Sequence, residues 1–386
     1  MLTNLLAISV LAAWVYLLVG RGGFWLAAER DDSALPRPIA WPVVVAVIPA
    51  RNEAEGVGQC IGSLLAQDYP GSLTIILVDD DSSDATATVA RLAAETGGAI
   101  DRLTVIPGKP LPSGWTGKLW ALAQGIDAAE RATDPPAYLL LTDADIVYAP
   151  DTLTHLVSKA TSGGLVLTSL MAKLRCVSFA EQTLIPAFIF FFQMLYPFAW
   201  VNRPTSPTAA AAGGCMLVHA DTLRQVGGIG TIRHALIDDC ALATTLKALG
   251  PIWLGLTERV HSIRGYPRFD DIRKMVARSA YAQLRYSSFF LAFTIVAMSL
   301  IYLTSPLLAL FGHGTQRWLG LATWGLMALA FQSTLKFYQR SPLWGLALPA
   351  ITLIYMIFTV DSAWQHARGR GGVWKGRVQA RASDLR

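Results

Sequence analysis

Apolar residues in this chain fall into two patterns: long uninterrupted runs towards both ends, and short runs separated by polar stretches in the middle. Residues 2–19 are apolar and uncharged, long enough to span a bilayer with little tilt. After Tyr286 come three more apolar stretches, 289–311, 317–335 and 343–361, with Lys336 and Arg340 marking one polar connection. They predict a C-terminal transmembrane bundle of about three helices. Between the two ends, Val43 to Ile48, Leu73 to Val78 and Tyr138 to Leu141 predict buried parallel strands, each ending at a polar turn. Helices are expected over 54–67, 84–95 and 117–131. Strand alternating with helix in this way predicts an α/β domain over 41–285, built on a doubly wound, mostly parallel, Rossmann-like sheet.

One apolar run breaks this division. Thr183 to Val201 carries no charge and is rich in aromatic residues, with Pro186 and Pro197 interrupting it. It also lies between two acidic motifs, at 143–145 and 238–239, that would be separated if it crossed a bilayer. The expectation is an aromatic surface helix lying at a membrane interface, with a buried core helix as the plainer alternative.

Composition supports the membrane reading. Hydrophobic residues make up 53% of the 386 residues and charged ones only 15%, against about 25% charged in ordinary soluble domains. The net charge of +5 places basic residues beside the apolar runs, at Arg21, Arg30 and along the tail 362–386 with Arg368, Arg370, Lys375, Arg377, Arg381 and Arg386. Such flanks mark the cytoplasmic side. No basic stripe interleaved with aromatics appears in the polar middle, so nucleic acid is not an expected partner. A signal peptide would want a basic start and a small-residue cleavage site, and neither is clear at residues 1–20. One N-terminal and three C-terminal spans would, however, place the basic tail opposite the α/β domain. The pattern therefore asks that one apolar stretch be re-entrant or interfacial, or that the tail be an exception. The four cysteines form no CxxC pair and the six histidines show no metal-ligand spacing.

Candidate chemistry sits where the strands end. The first strand runs into Pro49-Ala50-Arg51-Asn52-Glu53 and the second into Asp79-Asp80-Asp81-Ser82-Ser83-Asp84. In open α/β sheets, ligands bind at the carboxyl ends of the strands, although Asp and Ser are also ordinary turn and cap residues. The third strand ends in Thr142-Asp143-Ala144-Asp145. Two carboxylates held close together favour a cation between them. Mg²⁺ or Mn²⁺ suits such a site, taking few carboxylates and completing its shell with phosphate oxygens. Finally, Leu236-Ile237-Asp238-Asp239-Cys240 opens a helix. A helix N-terminus favours acids in any case, but Asp239 could also serve as a general base.

These four pieces, in this order, resemble the family 2 glycosyltransferases with the GT-A fold, over roughly residues 41–285. The resemblance implies that Pro49, Glu53, Asp79 and Asp80 bind the nucleotide, that Asp143 and Asp145 bind metal and diphosphate, and that Asp239 supplies the base of an inverting transfer. Gly114-Trp115-Thr116-Gly117-Lys118 also looks like a family segment, with Lys118 near the nucleotide or phosphates. Processive synthases of the family carry Gln-x-x-Arg-Trp after the base. Here the corresponding Met275-Val276-Ala277-Arg278-Ser279 lacks the Gln and the Trp, leaving Arg278, and Arg273 beside it, to meet diphosphate. That departure favours a single transfer over polymer synthesis. The wider layout resembles the hopene-associated glycosyltransferases of hopanoid-making bacteria. It implies a nucleotide-sugar donor (UDP being the family's commonest choice), a polycyclic or related lipid acceptor, and a catalytic domain on the cytoplasmic face of the bacterial inner membrane.

Overall fold

Buried apolar runs decide the central sheet. In the computed structural model, which describes residues 2–33, 35–374 and 377–378, β1 (Val44–Ala50) is buried at all seven positions. It pairs in parallel with β2 (Leu73–Asp79), which in turn pairs with β3 (Leu103–Pro107). On the other side β1 pairs in parallel with β4 (Tyr138–Thr142). The remaining strands are β5 (Ile146–Tyr148), β6 (Leu167–Lys173), β7 (Cys215–His219) and β8 (Ile252–Ser262). The order across the sheet is β3-β2-β1-β4-β7-β6-β8-β5. β7 runs antiparallel to both β4 and β6, and β5 antiparallel to β8, whereas β6 and β8 are parallel. The strands expected from the sequence are all present, within about two residues of their expected ends, in a mixed, mostly parallel α/β sheet.

Helices cover both faces. The first, α1 (Leu2–Gly20), precedes the sheet, and α2 (Val57–Leu65), α3 (Thr86–Thr96), α4 (Gly117–Glu130) and α5 (Thr152–Gly163) connect the early strands. Helix α4 lies directly on β1 and β2 because residue 125 is glycine: a Cβ there would come within 2.4 Å of Val47 Cγ1 and 3.1 Å of Val78 Cγ2. Then follow α6 (Phe179–Leu195), α7 (Phe198–Val201), α8 (Ala220–Gln225), α9 (Asp238–Lys247), α10 (Phe269–Ala277) and α11 (Ala280–Gln283). The C-terminal part holds α12 (Ser288–Met298), α13 (Thr304–Phe311), α14 (Thr315–Phe337) and α15 (Leu348–Ala367). A π-helical turn, Ser299–Leu303, joins α12 to α13.

The aromatic run expected on a membrane surface is α6, and most of its side chains are buried against protein. Ser178 caps its start, accepting from the Glu181 N–H, while Glu181 accepts in return from the Ser178 N–H. Phe190 is fully buried and meets Phe24, Phe191 and Phe331 with ring centroids 5.2–5.8 Å apart. Tyr355 of α15 donates its hydroxyl to the Leu184 carbonyl. The helix thereby joins the sheet domain to the terminal helices, forming one continuous core with them. Proline 186 is tolerated within it.

Four helical stretches among the described residues are long and apolar enough to cross a membrane: Thr3–Gly20, Phe179–Val201, Ser288–Phe311 and Pro342–Ala367. Two features of packing separate them. Trp14 of α1 donates to the Ile301 carbonyl and packs edge-on against Tyr302, so α1 and the α12–α13 stretch lie together, with α14 beside them. By contrast, α15 touches the sheet domain at both of its ends. Trp344, just before it, meets Phe179, and Asp361 and Ser362 near its end pair with Arg273 and the Ala277 carbonyl of α10. Within the basic tail, Lys375, Arg381 and Arg386 lie outside the described residues.

Candidate active site

At the carboxyl ends of β1, β2 and β4 the chain makes tight turns. Asn52 and Asp81, with φ of 51° and 55°, adopt the left-handed conformation that few non-glycine residues enter. The two turns face each other: the Asn52 side chain accepts from Ser83 N at 2.8 Å, and Asn52 N donates to Ser82 Oγ at 3.0 Å. Strain of this kind persists only where surrounding contacts over-determine it, and it collects at functional sites.

Beside these turns lies a cavity of about 430 Å³ whose walls include Pro49, Glu53, Lys118, Asp143, Asp145, Asp239 and Arg278. Seven residues singled out in the sequence thus converge on one space. Asp79 and Asp80 do not line it. They sit at the end of β2, where Asp79 Oδ1 accepts from Ser82 N and the buried Asp80 lies 3.9 Å from Arg51 Nη1. Arg273, considered for diphosphate contact, is committed elsewhere, paired with Asp270 and Asp361.

The floor of the cavity is a set of carboxylates held by two cations. Lys118, at the start of α4, contacts Asp143 Oδ1 at 2.9 Å and Asp238 Oδ2 at 3.0 Å. Burial works against its charge, yet Asp143 and Asp238 hold the ammonium protonated, above the ordinary lysine value. Arg264, just after β8, forks between Glu53 Oε1 and Asp145 Oδ2, both at 2.6 Å. Ser262 adds a hydrogen bond to Asp145 at 3.3 Å. The planar guanidinium can bridge two carboxylates in this way, which an ammonium cannot do as rigidly. Loss of hydration raises the Asp143 carboxyl, Lys118 opposes the rise, and Asp145 adds to it.

Asp239 opens α9, where the helix N-terminus accommodates negative charge. Its Oδ2 accepts from Gly213 N at 3.0 Å and its Oδ1 from Cys240 N at 2.8 Å. Burial, and then the neighbouring charge of Asp238, push its carboxyl up to about 6, with Lys118 pulling the other way. A carboxylate so placed is a better proton acceptor near neutral pH than an exposed one.

The donor set at Asp143 and Asp145 fits a hard divalent cation: it is two carboxylates, and the Cys60 thiol beside them, kept protonated by burial, donates to the Asp143 backbone carbonyl. Among the described residues no cluster of three or more His, Cys, Asp or Glu forms a metal site. Protein groups would therefore supply only part of the shell, and phosphate oxygens the remainder.

Residues 45–227 match a family model described as Glycosyl transferase family 2. Over those residues, just under half of the chain, the sequence is similar to that family. Among curated proteins, an N-acetylglucosaminyltransferase of Rhizobium leguminosarum bv. viciae is 33% identical over 120 residues, 31% of this chain and 25% of its own. A 4,4'-diaponeurosporenoate glycosyltransferase of Staphylococcus aureus is 34% identical over 102 residues, 26% of this chain and 24% of its own. The chain thus spans about a quarter of the length of the curated relatives it matches. A solved mannosyltransferase, PcManGT from Pyrobaculum calidifontis in complex with GDP-Man and Mn²⁺, superposes with a TM-score of 0.56. The alignment covers 93% of this chain and 99% of that one at 21% identity, a likeness of fold. The sheet domain has the GT-A fold.

Sequence reasoning missed several residues of this site. Arg264 follows a long strand whose pairing is entirely non-local, and no spacing ties it to Glu53. Asp238 is visible in the acidic motif but carries no role until Lys118 is seen between it and Asp143. Gly213 and Gly214 close a run of four alanines. That Ala-Ala-Ala-Ala-Gly-Gly stretch is the one signal that could have found them, since paired glycines beside an apolar run mark a close backbone approach. At Gly213 a Cβ would stand 3.2 Å from Lys118 Nζ and 3.4 Å from Asp239 Oδ2. Gly213→Val is therefore expected to displace Asp239 and lower turnover roughly a hundredfold, with the thermal midpoint nearly unchanged. Turnover equal to wild type, measured with saturating donor, would contradict this packing.

Proposed function

We propose that this chain is a membrane-bound inverting glycosyltransferase that moves one sugar from a nucleotide-sugar donor to a lipid acceptor at the cytoplasmic face of a bacterial inner membrane. The observation that carries the reading is the two-sided character of one cavity. Its floor is the carboxylate and cation cluster with Asp239. Its wall includes Met171, Leu174, Phe188, Phe192 and Met275, on elements that pack against the terminal helices. An apolar wall beside a general base suits an acceptor hydroxyl carried on a lipid. The relative acting on 4,4'-diaponeurosporenoate, a carotenoid, supports the same class of acceptor. Resemblance to the hopene-associated enzymes narrows it further, towards a polycyclic hopanoid-like lipid.

In this reading, ionised Asp239 takes the proton of the acceptor hydroxyl while that oxygen attacks the anomeric carbon. The bond from carbon to the diphosphate oxygen breaks on the opposite face, so the configuration inverts. Lys118, Lys274 and Arg278, all in the cavity wall, meet the charge of the departing nucleoside diphosphate. Pro49 and Glu53 border the donor, with Asp79 and Asp80 at the adjoining strand end for its nucleoside, UDP being the first choice to test. A bound Mg²⁺ or Mn²⁺, held by Asp143 and Asp145 and by phosphate oxygens, would neutralise diphosphate charge; the PcManGT complex with Mn²⁺ and GDP-Man is consistent with this. Arg278 without a neighbouring Gln and Trp supports one transfer rather than a growing polymer.

The packing of α15 also bears on orientation. If α1, the α12–α13 stretch and α14, less apolar than these but packed against both, cross the membrane while α15 lies along the domain, the count of crossings is odd. Domain and basic tail then share the cytoplasmic side, as basic flanks require. Alkaline phosphatase fused at His313, between α13 and α14, should be active, and the same fusion after Arg386 inactive. Active fusions at both places would overturn this topology.

Asp239→Asn is expected to lower transfer by about 10²–10⁴-fold while nucleotide affinity in calorimetry changes little. For the wild type, kcat/KM should fall as pH drops through about 6, because the base works only when ionised and its carboxyl is raised to that region. Mass spectrometry of lipid extracts, after incubating membranes with UDP- and GDP-sugars, reads the product. Wild-type transfer by the variant, or long polymers, would contradict the proposal.

A further inference from the structure

A second cavity, of about 490 Å³, lies beside the end of β8, next to the first. Leu174 and Ser262 line both spaces, but the chemistry of the two differs. The second is lined by Lys173, Arg175, Arg340 and His261, and no acidic residue borders it. Glu258, just outside, balances Lys173 alone at 3.2 Å. Among the described residues neither arginine has a carboxylate partner. Arg340 Nε donates to the Tyr338 and Gln339 carbonyls, and the Arg175 guanidinium lies over Gly265, where a Cβ would come within 2.8 Å of Nη1. Cationic charge is thus gathered in a concave space and left largely uncompensated by protein.

Its surroundings are apolar and exposed. Val177, Phe179 and Leu343 are 63%, 67% and 73% exposed, and Phe179 leans on Trp344 at 6.1 Å between ring centroids. Lys173 Nζ sits 4.8 Å from the centre of the Phe337 ring, at the end of α14. A cationic hollow just before the apolar Pro342–Ala367 stretch, flanked by exposed apolar side chains, matches a lipid with an anionic head and acyl chains. A soluble anion would use the charges but leave the apolar rim without a role.

We infer that this cavity binds the phosphate-bearing headgroup of an anionic membrane lipid, at a site separate from donor and acceptor. The inference depends on reading the terminal helices as membrane-associated, and it concerns binding, not transfer. Occupancy would brace the end of β8, where Ser262 and Arg264 hold Asp145.

The test is native mass spectrometry of the full-length protein in detergent, titrated with phosphatidylglycerol or with phosphatidylcholine of the same acyl chains. One phosphatidylglycerol should be retained under conditions that strip phosphatidylcholine. The double variant Arg175→Gln/Arg340→Gln should weaken its retention roughly tenfold or more, whereas Lys336→Gln, an exposed lysine outside the cavity, should not. Nucleotide affinity and thermal midpoint serve as controls that the double variant is folded, and Arg340→Lys should retain most binding. Equal retention of the two lipids, or undiminished phosphatidylglycerol on a folded double variant, would overturn the site. So would displacement by millimolar inorganic phosphate, which would assign the hollow to a soluble anion. Loss of selectivity with transfer intact would refute this site and leave the enzymatic reading standing.

Discussion

Lys118 is the interaction on which the rest of the site depends. Asp143, Asp238 and Asp239 come from two separate parts of the chain, and their charges would repel one another without a cation among them. The ammonium between Asp143 and Asp238 joins the end of β4 to the start of α9, the metal-ligand candidates to the candidate base. Arg264 does the same for Glu53 and Asp145 on the opposite side. The floor therefore already has the alternation of charge that a diphosphate and a divalent cation would extend. Such preorganisation is what allows electrostatic stabilisation to act without rearrangement during the reaction.

Much of this fold is legible in the amino-acid sequence, and for identifiable reasons. Strands β1, β2 and β4 are buried on both faces, so each reads as a continuous apolar run with a polar turn after it. The motifs at Glu53, Asp143 and Asp239 stand out because each follows such a run or opens a helix. What escapes the sequence is assembled by distant pairing. Arg264 reaches Glu53 across 211 positions because β8 crosses back to lie beside β6. Gly213 matters only because its N–H meets a carboxylate. Arg273 looks like a diphosphate ligand by proximity to Arg278, but its guanidinium is taken up by Asp270 and Asp361.

The aromatic run at 183–201 teaches a related lesson. Its composition suits a membrane surface as well as a protein core, and composition alone does not distinguish the two. Contacts with Phe24, Phe331 and Tyr355 place α6 as the element around which the sheet domain and terminal helices share one core. Glu181, at its start, accepts from the Tyr266 N–H at 2.6 Å. Tyr266 lines the candidate active-site cavity, so the same helix that meets the terminal bundle also fixes part of the site. Similarly, Asp361 on α15 holds α10, which carries Lys274, Met275 and Arg278 into the cavity wall. Helix α15, apolar for most of its length, is thus directly connected to groups that line the cavity.

The central claim is a single displacement at the anomeric carbon by a hydroxyl that Asp239 deprotonates. Its most direct test is the stereochemistry of the product, read by the anomeric proton coupling in NMR of the purified glycolipid made from an α-linked nucleotide sugar. A β-linked lipid bearing one sugar is the result this account predicts. An α-linked product would mean retention, and would contradict the role given to Asp239.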